Sequence, residues 1–571
     1  MKFKSFFSRD RILIFVIIFG AGVLITKLFL VQVVNSESYS NRADRQYATN
    51  ASLLFERGTI FFEQKNGELV SAATQSTGFK LAIIPGKLSN DEKVFNALKE
   101  VIPTLDQKSF LDKASKKDDP YEEISNRLTK EQADTISSQS MSGVMIYREK
   151  WRFYPGNEMA AQTLGFVGYR GEELGGRYGL ERQYDELLSR DKDEPYVNFF
   201  AEVFSNISES LFETKTKKGD IVITIEPIVQ GFLEKTLSEV KEKYRVDTMG
   251  GIIMDPIDGS IYAMASLPSF DPNNFSKASS NSIFSNPLVE NVLEFGSIVK
   301  PLVIAAGLDR GVITANTTYD DRGSVQVEKK EIFNFDRKAR GVVTIQEALS
   351  QSLNTGMVFT YRKLGKENLR EYLLSYGIKE KTGIDLPNET GGLVTNLNSP
   401  RDLEYANASF GQGIALTPVE MIRALAALGN GGKLVTPHLV KKIKYENGKE
   451  EIIEYPTSQS KISAETSEEI TRMLVNIMDD GIQSGKAKMD RYSMAVKTGT
   501  AQVADPVKGG YYADRNTHSF FGYFPAYEPR FIVLLYATNP KGTQYASQTW
   551  VDPFLSLSKF LINYYEVPPD R

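Results

Sequence analysis

Ser297 and Lys300 stand three residues apart in N-V-L-E-F-G-S-I-V-K-P-L-V-I-A-A-G-L, residues 291–308. Pro301 is poorly tolerated deep inside a helix, so the apolar run predicts a helix that begins close to Ser297. Three apart on one face, the hydroxyl and the amine lie roughly one turn from each other. Free N–H groups at the helix start favour developing negative charge. Leu302, Val303 and Ile304 would desolvate the amine and lower its pKa. A neutral amine there can take the serine proton, which makes a Ser-Lys nucleophile pair that needs no histidine.

The spacing alone is weak. S-x-x-K also begins at Ser189, Ser238, Ser458 and Ser556, in a charged linker, a polar helix, a polar loop and a terminal helix. Company raises Ser297 above them. Ser352-Leu353-Asn354 gives S-x-N inside a helical region bearing alanine and leucine. Lys497-Thr498-Gly499-Thr500 gives K-T-G on a strand-like run. Each has a decoy. Lys381-Thr382-Gly383 leads into I-D-L-P-N-E without a strand, and Ser279-Ser280-Asn281 precedes the nucleophile. Order and secondary structure select Ser352 and Lys497. His438 reads as structural, and His518 as packing beside the Lys497 strand. The Gly510-Tyr511-Tyr512 stretch reads as cleft lining or loop packing, and Glu404 as a solvated face.

Composition narrows the chemistry further. The 571 residues contain no Cys, which excludes disulfides, zinc thiolates, iron–sulfur clusters and a cysteine nucleophile. Two histidines leave no His-rich metal site, so no metal and no cofactor is expected. With 68 Lys plus Arg against 72 Asp plus Glu, the net charge of −4 argues against nucleic-acid binding through a basic field.

The N-terminus sets the compartment. Residues 1–11 carry Lys2, Lys4, Arg9 and Arg11 against Asp10, and residues 12–34 are almost wholly apolar. As a helix that segment would span about 34 Å, enough for a bilayer core. The basic flank keeps the N-terminus cytoplasmic and exports the rest. A cleaved signal peptide is the alternative, but no clear A-x-A site follows.

Along the exported part, Asn66-Gly67 marks a hairpin. Helical patterns cover 92–101 and 130–137, and residues 190–218 read as a linker or protruding hairpin. A strand at 220–225 and a helix at 226–243 follow. Strands at 251–255 and 260–265 enclose P-I-D-G, a long, mostly helical stretch covers 297–427, and three apolar runs (494–503, 518–524, 531–538) precede a last helix over 551–565. Strands at both ends of a helical insertion predict one α+β domain, its antiparallel sheet assembled from the two chain ends and flanked by helices. The expected organisation is a cytoplasmic tail 1–11, a transmembrane helix 12–34, a pedestal 35–219 and a catalytic domain 220–571.

S-x-x-K, S-x-N and K-T-G together form the motif set of penicillin-binding proteins and class A β-lactamases. The chain resembles a class B penicillin-binding protein, a monofunctional peptidoglycan D,D-transpeptidase, over nearly its whole length. E-R-G-T-I-F-F-E-Q-K-N-G-E-L-V resembles the membrane-proximal family motif, with Phe62 and Glu63 where the family has D-R. R-F-Y-P-G-N-E-M-A-A-Q-T-L-G-F-V-G and G-R-Y-G-L-E-R-Q-Y-D-E-L-L resemble pedestal signatures of a mixed α/β, elongated domain. T-G-I-D-L-P-N-E and F-G-Q-G-I-A-L-T-P-V-E-M resemble transpeptidase segments. Phe295 replaces the usual Pro, and S-L-N replaces S-S-N or S-C-N. Both read as packing changes.

The resemblance implies roles. Ser297 attacks the carbonyl of a D-Ala-D-Ala stem peptide, Lys300 is the acylation base, and Ser352 relays a proton to departing D-Ala. Asn354 binds the peptide amide. Lys497 supplies positive charge, Thr498 and Thr500 hold the terminal carboxylate, and the strand containing Gly499 offers an oxyanion-hole N–H. Implied partners are peptidoglycan stem peptides, β-lactams as covalent inhibitors, the lipid bilayer, and a membrane glycan polymerase of the shape-elongation-division-sporulation family. The implied location is the bacterial inner membrane, with one pass. Septal synthesis is weakly favoured over lateral. The rival readings are a membrane-anchored β-lactam sensor or β-lactamase, which would need an E-x-x-L-N or S-x-V segment, and an inactive cell-wall scaffold.

Overall fold

The structure, a computed structural model, describes residues 19, 22, 24, 27, 56–171, 173–190, 218–505 and 507–571. The expected tail 1–11 and, apart from helical Phe19, Gly22, Leu24 and Lys27, the expected membrane helix 12–34 lie outside the described residues. So does most of the expected linker 190–218. Among the described residues no helix is long and apolar enough to cross a membrane.

Strand β1 (Ile60–Glu63) pairs antiparallel with the start of β2 (Leu69–Ile83). The Asn66-Gly67 turn between them needs φ +83° at Gly67, a conformation glycine adopts without penalty. The described residues form two compact units. The smaller contains Gln75–Trp151. In it α1 (Asp91–Val101) starts where the Asn90 side chain accepts from Lys93 N, and α2 (Gln107–Ala114) where Asp106 accepts from Ser109 N. Strand β3 (Glu122–Leu128) pairs with β2, a Thr129–Gln132 capping box opens α3 (Lys130–Ser138), and β4 (Val144–Phe153) also joins β2. Leu81, Ile83, Phe95, Leu98, Phe110 and Ile136 form its core.

The larger unit contains Arg57–Thr74, Arg152–Ser189 and residues 218–571. Strand β5 (Gly219–Ile223) runs parallel to β1. Helix α4 (Pro227–Tyr244) is opened by Glu226, whose carboxylate accepts from Val229 N, and by Pro227 in its first turn. Strands β6 (Thr248–Met254) and β7 (Ile261–Leu267) form the expected hairpin. Helix α5 (Lys300–Asp309) is buried all round from Lys300 to Gly307, as an apolar sequence on every face requires.

The stretch expected to be mostly helical is interrupted. Residues 318–344 form two small antiparallel pairs: β8 (Thr318–Asp321) with β11 (Gly341–Thr344), and β9 (Ser324–Val327) with β10 (Lys330–Phe333). Helices α6 (Ile345–Ser350) and α7 (Asn354–Leu364) follow. Ser352 therefore sits between two helices, not inside one. Its φ of +57° is left-handed and ends the helical path.

Strand β12 (Val440–Tyr445) pairs with β5, and α8 (Ala464–Asn476) precedes the final strands. These are β13 (Ala495–Ala504), β14 (Tyr511–Phe524) and β15 (Phe531–Thr538). With β6 and β7 they form a five-stranded antiparallel sheet in the order β13-β14-β15-β6-β7. The sheet is thus assembled from distant parts of the chain, as the strand pattern predicts. The last helix, α9 (Ala546–Tyr565), follows them. It buries Trp550, Phe554, Leu557 and Leu561, with Phe554 4.7 Å from the Phe520 ring.

One buried ion cluster locks the early segments of this unit together. Glu181, 0% exposed, accepts from Arg57 Nε and Arg152 Nε, each at 2.6 Å. Burial opposes its ionisation, but the charges and hydrogen bonds of Arg152 and Arg57 prevail and hold the carboxyl below its ordinary range. Glu181→Ala leaves two guanidiniums buried without their anion and is expected to cost about 3–5 kcal/mol in denaturant unfolding. Because the folded pKa lies below the unfolded one, the stabilisation is complete above the ordinary carboxyl pKa of 4.5 and disappears as pH falls through the folded value. An acid-unfolding midpoint identical in parent and variant would contradict this.

Candidate active site

The turn that carries Ser297 is built by close approach. Gly296–Val299 form a 3₁₀ turn, closed by Lys300 N–H donating to Ser297 O, and α5 begins at Lys300 with Pro301 in its first turn. In 3₁₀ geometry residues three apart eclipse, which aligns Ser297 with Lys300. Gly296 has φ +62°, and a Cβ there would lie 3.0 Å from Ala501 Cβ and 3.2 Å from Thr500 O. The turn therefore rests directly on β13. Gly296 N also donates to Gly411 O at 3.2 Å.

Gly499 makes the same contact from the strand side. A Cβ there would fall 2.3 Å from Ser519 Oγ and 2.6 Å from Phe295 O. Ser519 Oγ already donates to Phe295 O at 2.8 Å. Gly499→Ala must push the turn off the strand. It is expected to destabilise by about 1–3 kcal/mol, read as a shift in denaturant midpoint, and to slow any acylation of Ser297.

The two lysines converge on Ser352. Ser352 Oγ is 3.2 Å from Lys300 Nζ and 3.1 Å from Lys497 Nζ. Lys300 Nζ also donates to Ser352 O at 2.6 Å and to Asn354 Oδ1 at 2.8 Å, while Lys497 Nζ donates to Thr498 O at 3.0 Å. Both amines are buried, at 0% and 1% exposure. Burial, then the neighbouring Lys497 charge, holds Lys300 well below the ordinary lysine range. Burial alone pushes Lys497 down to about 7. Both amines are thus disposed to give up a proton more readily than an ordinary lysine. Ser297 is half-buried, and among the described residues its hydroxyl is hydrogen-bonded to no side chain.

Thr498 is half-buried and Thr500 exposed. Thr500 Oγ1 accepts from Ala546 N at 3.1 Å, which leaves its proton free to donate. Strand β13 ends the sheet order, so among the described residues no strand pairs with its outer edge.

Residues 249–556 match the family described as the penicillin binding protein transpeptidase domain. The chain belongs to this family. Residues 55–224 match the penicillin-binding protein dimerisation domain. Among its relatives is stage V sporulation protein D of Bacillus subtilis, 31% identical over 95% of this chain and 84% of that protein. Peptidoglycan D,D-transpeptidase FtsI of Escherichia coli is 25% identical over 74% of this chain and 68% of that protein. The crystal structure of penicillin binding protein 2X from Streptococcus thermophilus shares the fold, with a TM-score of 0.71 at 21% identity over 90% of this chain and 81% of that one.

The two departures near the S-x-x-K and S-x-N motifs fall in the core of this penicillin-binding fold. Phe295 is 1% exposed and meets Tyr536 edge-on, and Leu353 is fully buried. His518 pairs with Thr500 across β13 and β14, and its ring accepts from or donates to Thr549 Oγ1 at 2.9 Å. Burial pushes its pKa down to about 4, so it stays neutral near neutral pH. His438 bridges Ser260 Oγ and Thr436 O. The decoy Thr382-Gly383 is tied up by Glu389, which accepts from both backbone amides. Glu404 pairs with Arg401 at 3.3 Å.

Sequence reasoning missed Glu294, which accepts from Gly413 N at 3.1 Å and from Tyr511 Oη at 2.9 Å beside the serine turn. It also missed the buried Asp321 and Asn334 behind Asn354. The only signal for these was their nearness in sequence to glycines and turns, which many surface loops share.

Proposed function

We propose that the chain is a peptidoglycan D,D-transpeptidase that cross-links stem peptides through a serine acyl-enzyme formed at D-Ala-D-Ala. The observation that carries this reading is Ser352 Oγ within hydrogen-bond reach of both Lys300 and Lys497 Nζ. A neutral Lys300 takes the proton of Ser297, whose Oγ attacks the penultimate carbonyl. The D-Ala–D-Ala amide bond breaks, and the departing amine receives a proton through Ser352. Lys497, Thr498 and Thr500 hold the terminal carboxylate. Asn354 binds the peptide backbone, and the N–H groups of Ser297 and Thr500 stabilise the oxyanion, the backbone of Gly499 bringing the strand up to the turn. An amine from a neighbouring stem peptide then attacks the ester, forms the new amide and releases Ser297.

In this reading residues 1–11 are cytoplasmic, 12–34 cross the inner membrane once, 35–219 are a pedestal and 220–571 carry the chemistry outside. A separate membrane polymerase of the shape-elongation-division-sporulation family supplies glycan strands, in septal rather than lateral synthesis. The S-L-N-T-G and F-G-Q-G-I-A-L-T-P segments favour the septal assignment.

Incubation with a β-lactam followed by peptide mass mapping tests the reading. A stable adduct on the peptide holding Ser297, with D-Ala released from a stem-peptide substrate, is expected. Rapid turnover of the drug would instead identify a β-lactamase, and no adduct with intact cellular function a scaffold.

A further inference from the structure

Behind the S-L-N turn lies a buried polar chain that ends on the catalytic amine. Asp321 is 0% exposed. Its carboxylate accepts from Gly323 N at 3.1 Å, Asn334 Nδ2 at 2.9 Å, Thr355 Oγ1 at 2.8 Å and Arg340 N at 3.2 Å. The Arg340 guanidinium is turned away, onto Asp336, at 2.8 and 2.9 Å. Neutral donors therefore compensate the burial of this charge. Asn334, 1% exposed, uses its other end to accept from Thr355 N at 3.2 Å. Thr355 follows Asn354 directly, and Phe333 precedes Asn334. Phe333 O accepts from Asn354 Nδ2 at 2.8 Å. The two asparagine amides thus have their orientations fixed, and the second presents oxygen, not nitrogen, to Lys300 Nζ.

That orientation decides where the amine's lone pair points. A neutral lysine has two N–H donors and one lone pair. Ser352 O and Asn354 Oδ1 take the two donors, at 2.6 and 2.8 Å. The lone pair is then left for a hydroxyl. Were Asn354 reversed, its NH₂ would donate into that lone pair and quench the base.

We propose that Asp321 is a positioning residue for acylation: through Asn334 and Thr355 it fixes the Asn354 amide with its oxygen on Lys300, and so aims the lysine lone pair at the serine hydroxyls. The inference rests on the transpeptidase reading above and assigns a group outside the three motifs to it.

The test is the pH dependence of the acylation rate constant, measured with a fluorescent penicillin on the full chain. Asp321→Asn is expected to lower the plateau by roughly ten- to a hundred-fold, the scale of a lost supporting contact. Its acid limb should move to lower pH, because an amide NH₂ facing Lys300 disfavours the ammonium. A merely structural role would reduce the titratable active fraction and leave the limb in place. Thr355→Val, which keeps the shape and removes one hydroxyl, should shift plateau and limb in the same direction by less, and decides the matter if Asp321→Asn does not fold. In an Asn354→Ala background, with no amide left to orient, Asp321→Asn should change the rate little further. An unchanged limb in both single variants, or an undiminished effect in the Asn354→Ala background, overturns the proposal. If the parent chain itself forms no adduct on Ser297, the transpeptidase reading has failed instead.

Discussion

Ser297→Ala is expected to abolish the covalent penicillin adduct. The loss should be on the order of a million-fold in acylation, the scale on which removal of the nucleophile acts in serine enzymes. Folding should be nearly untouched. The Ser297 hydroxyl is bonded to no side chain among the described residues, and alanine suits a 3₁₀ turn, so the unfolding free energy should stay within about 0.5 kcal/mol. The measurement is mass mapping beside a denaturant curve. Ser352 makes it demanding, since its hydroxyl has two amines within 3.2 Å. An adduct that persists in the variant, on Ser352 or elsewhere, would mean that the nucleophile has been misassigned.

Lys300→Met is the second large effect. Methionine fills a similar length of the buried slot but has no proton acceptor. General-base catalysis contributes roughly 10²- to 10⁴-fold, and acylation should fall by that factor. The pH profile separates this from a packing defect. Lys497, pushed down to about 7, should give a fall at higher pH as it loses its charge, and Lys300, held below its ordinary range by burial and the Lys497 charge, a rise with pH on the acid limb. In the variant that limb should vanish. A variant that kept the limb would point to another group as the base.

The helix start at the Ser297–Lys300 pair could be read from sequence because local rules and order agreed. Pro301 placed the helix start, and α5 begins at Lys300. The K-T-G strand and its two partners were legible as apolar runs because a sheet covered on both faces needs apolar residues throughout. The small strands over 318–344 were not. They are four residues each, and two of them carry Asp, Lys and Glu, so the runs are too short for alternation or apolar length to mark them. Ser352 was expected inside a helix because its neighbours have helical propensity. Its left-handed backbone reflects the demand that one hydroxyl face two lysines, a tertiary constraint that propensity does not record. Asp321 and Asn334 escaped for the same reason: their partners lie up to 34 residues away along the chain.

The strand that borders the serine turn also sets a timetable for synthesis. A ribosome that has made the first 494 residues has produced Ser297, Lys300, Ser352 and Asn354, but not the surface on which their turn rests. That surface comes with residues 495–504, and the helix that backs it runs on to Tyr565. On the proposed reading, chains that stop before residue 495 are expected to take up no labelled penicillin. Reactivity toward a labelled penicillin would accordingly report on completed folding.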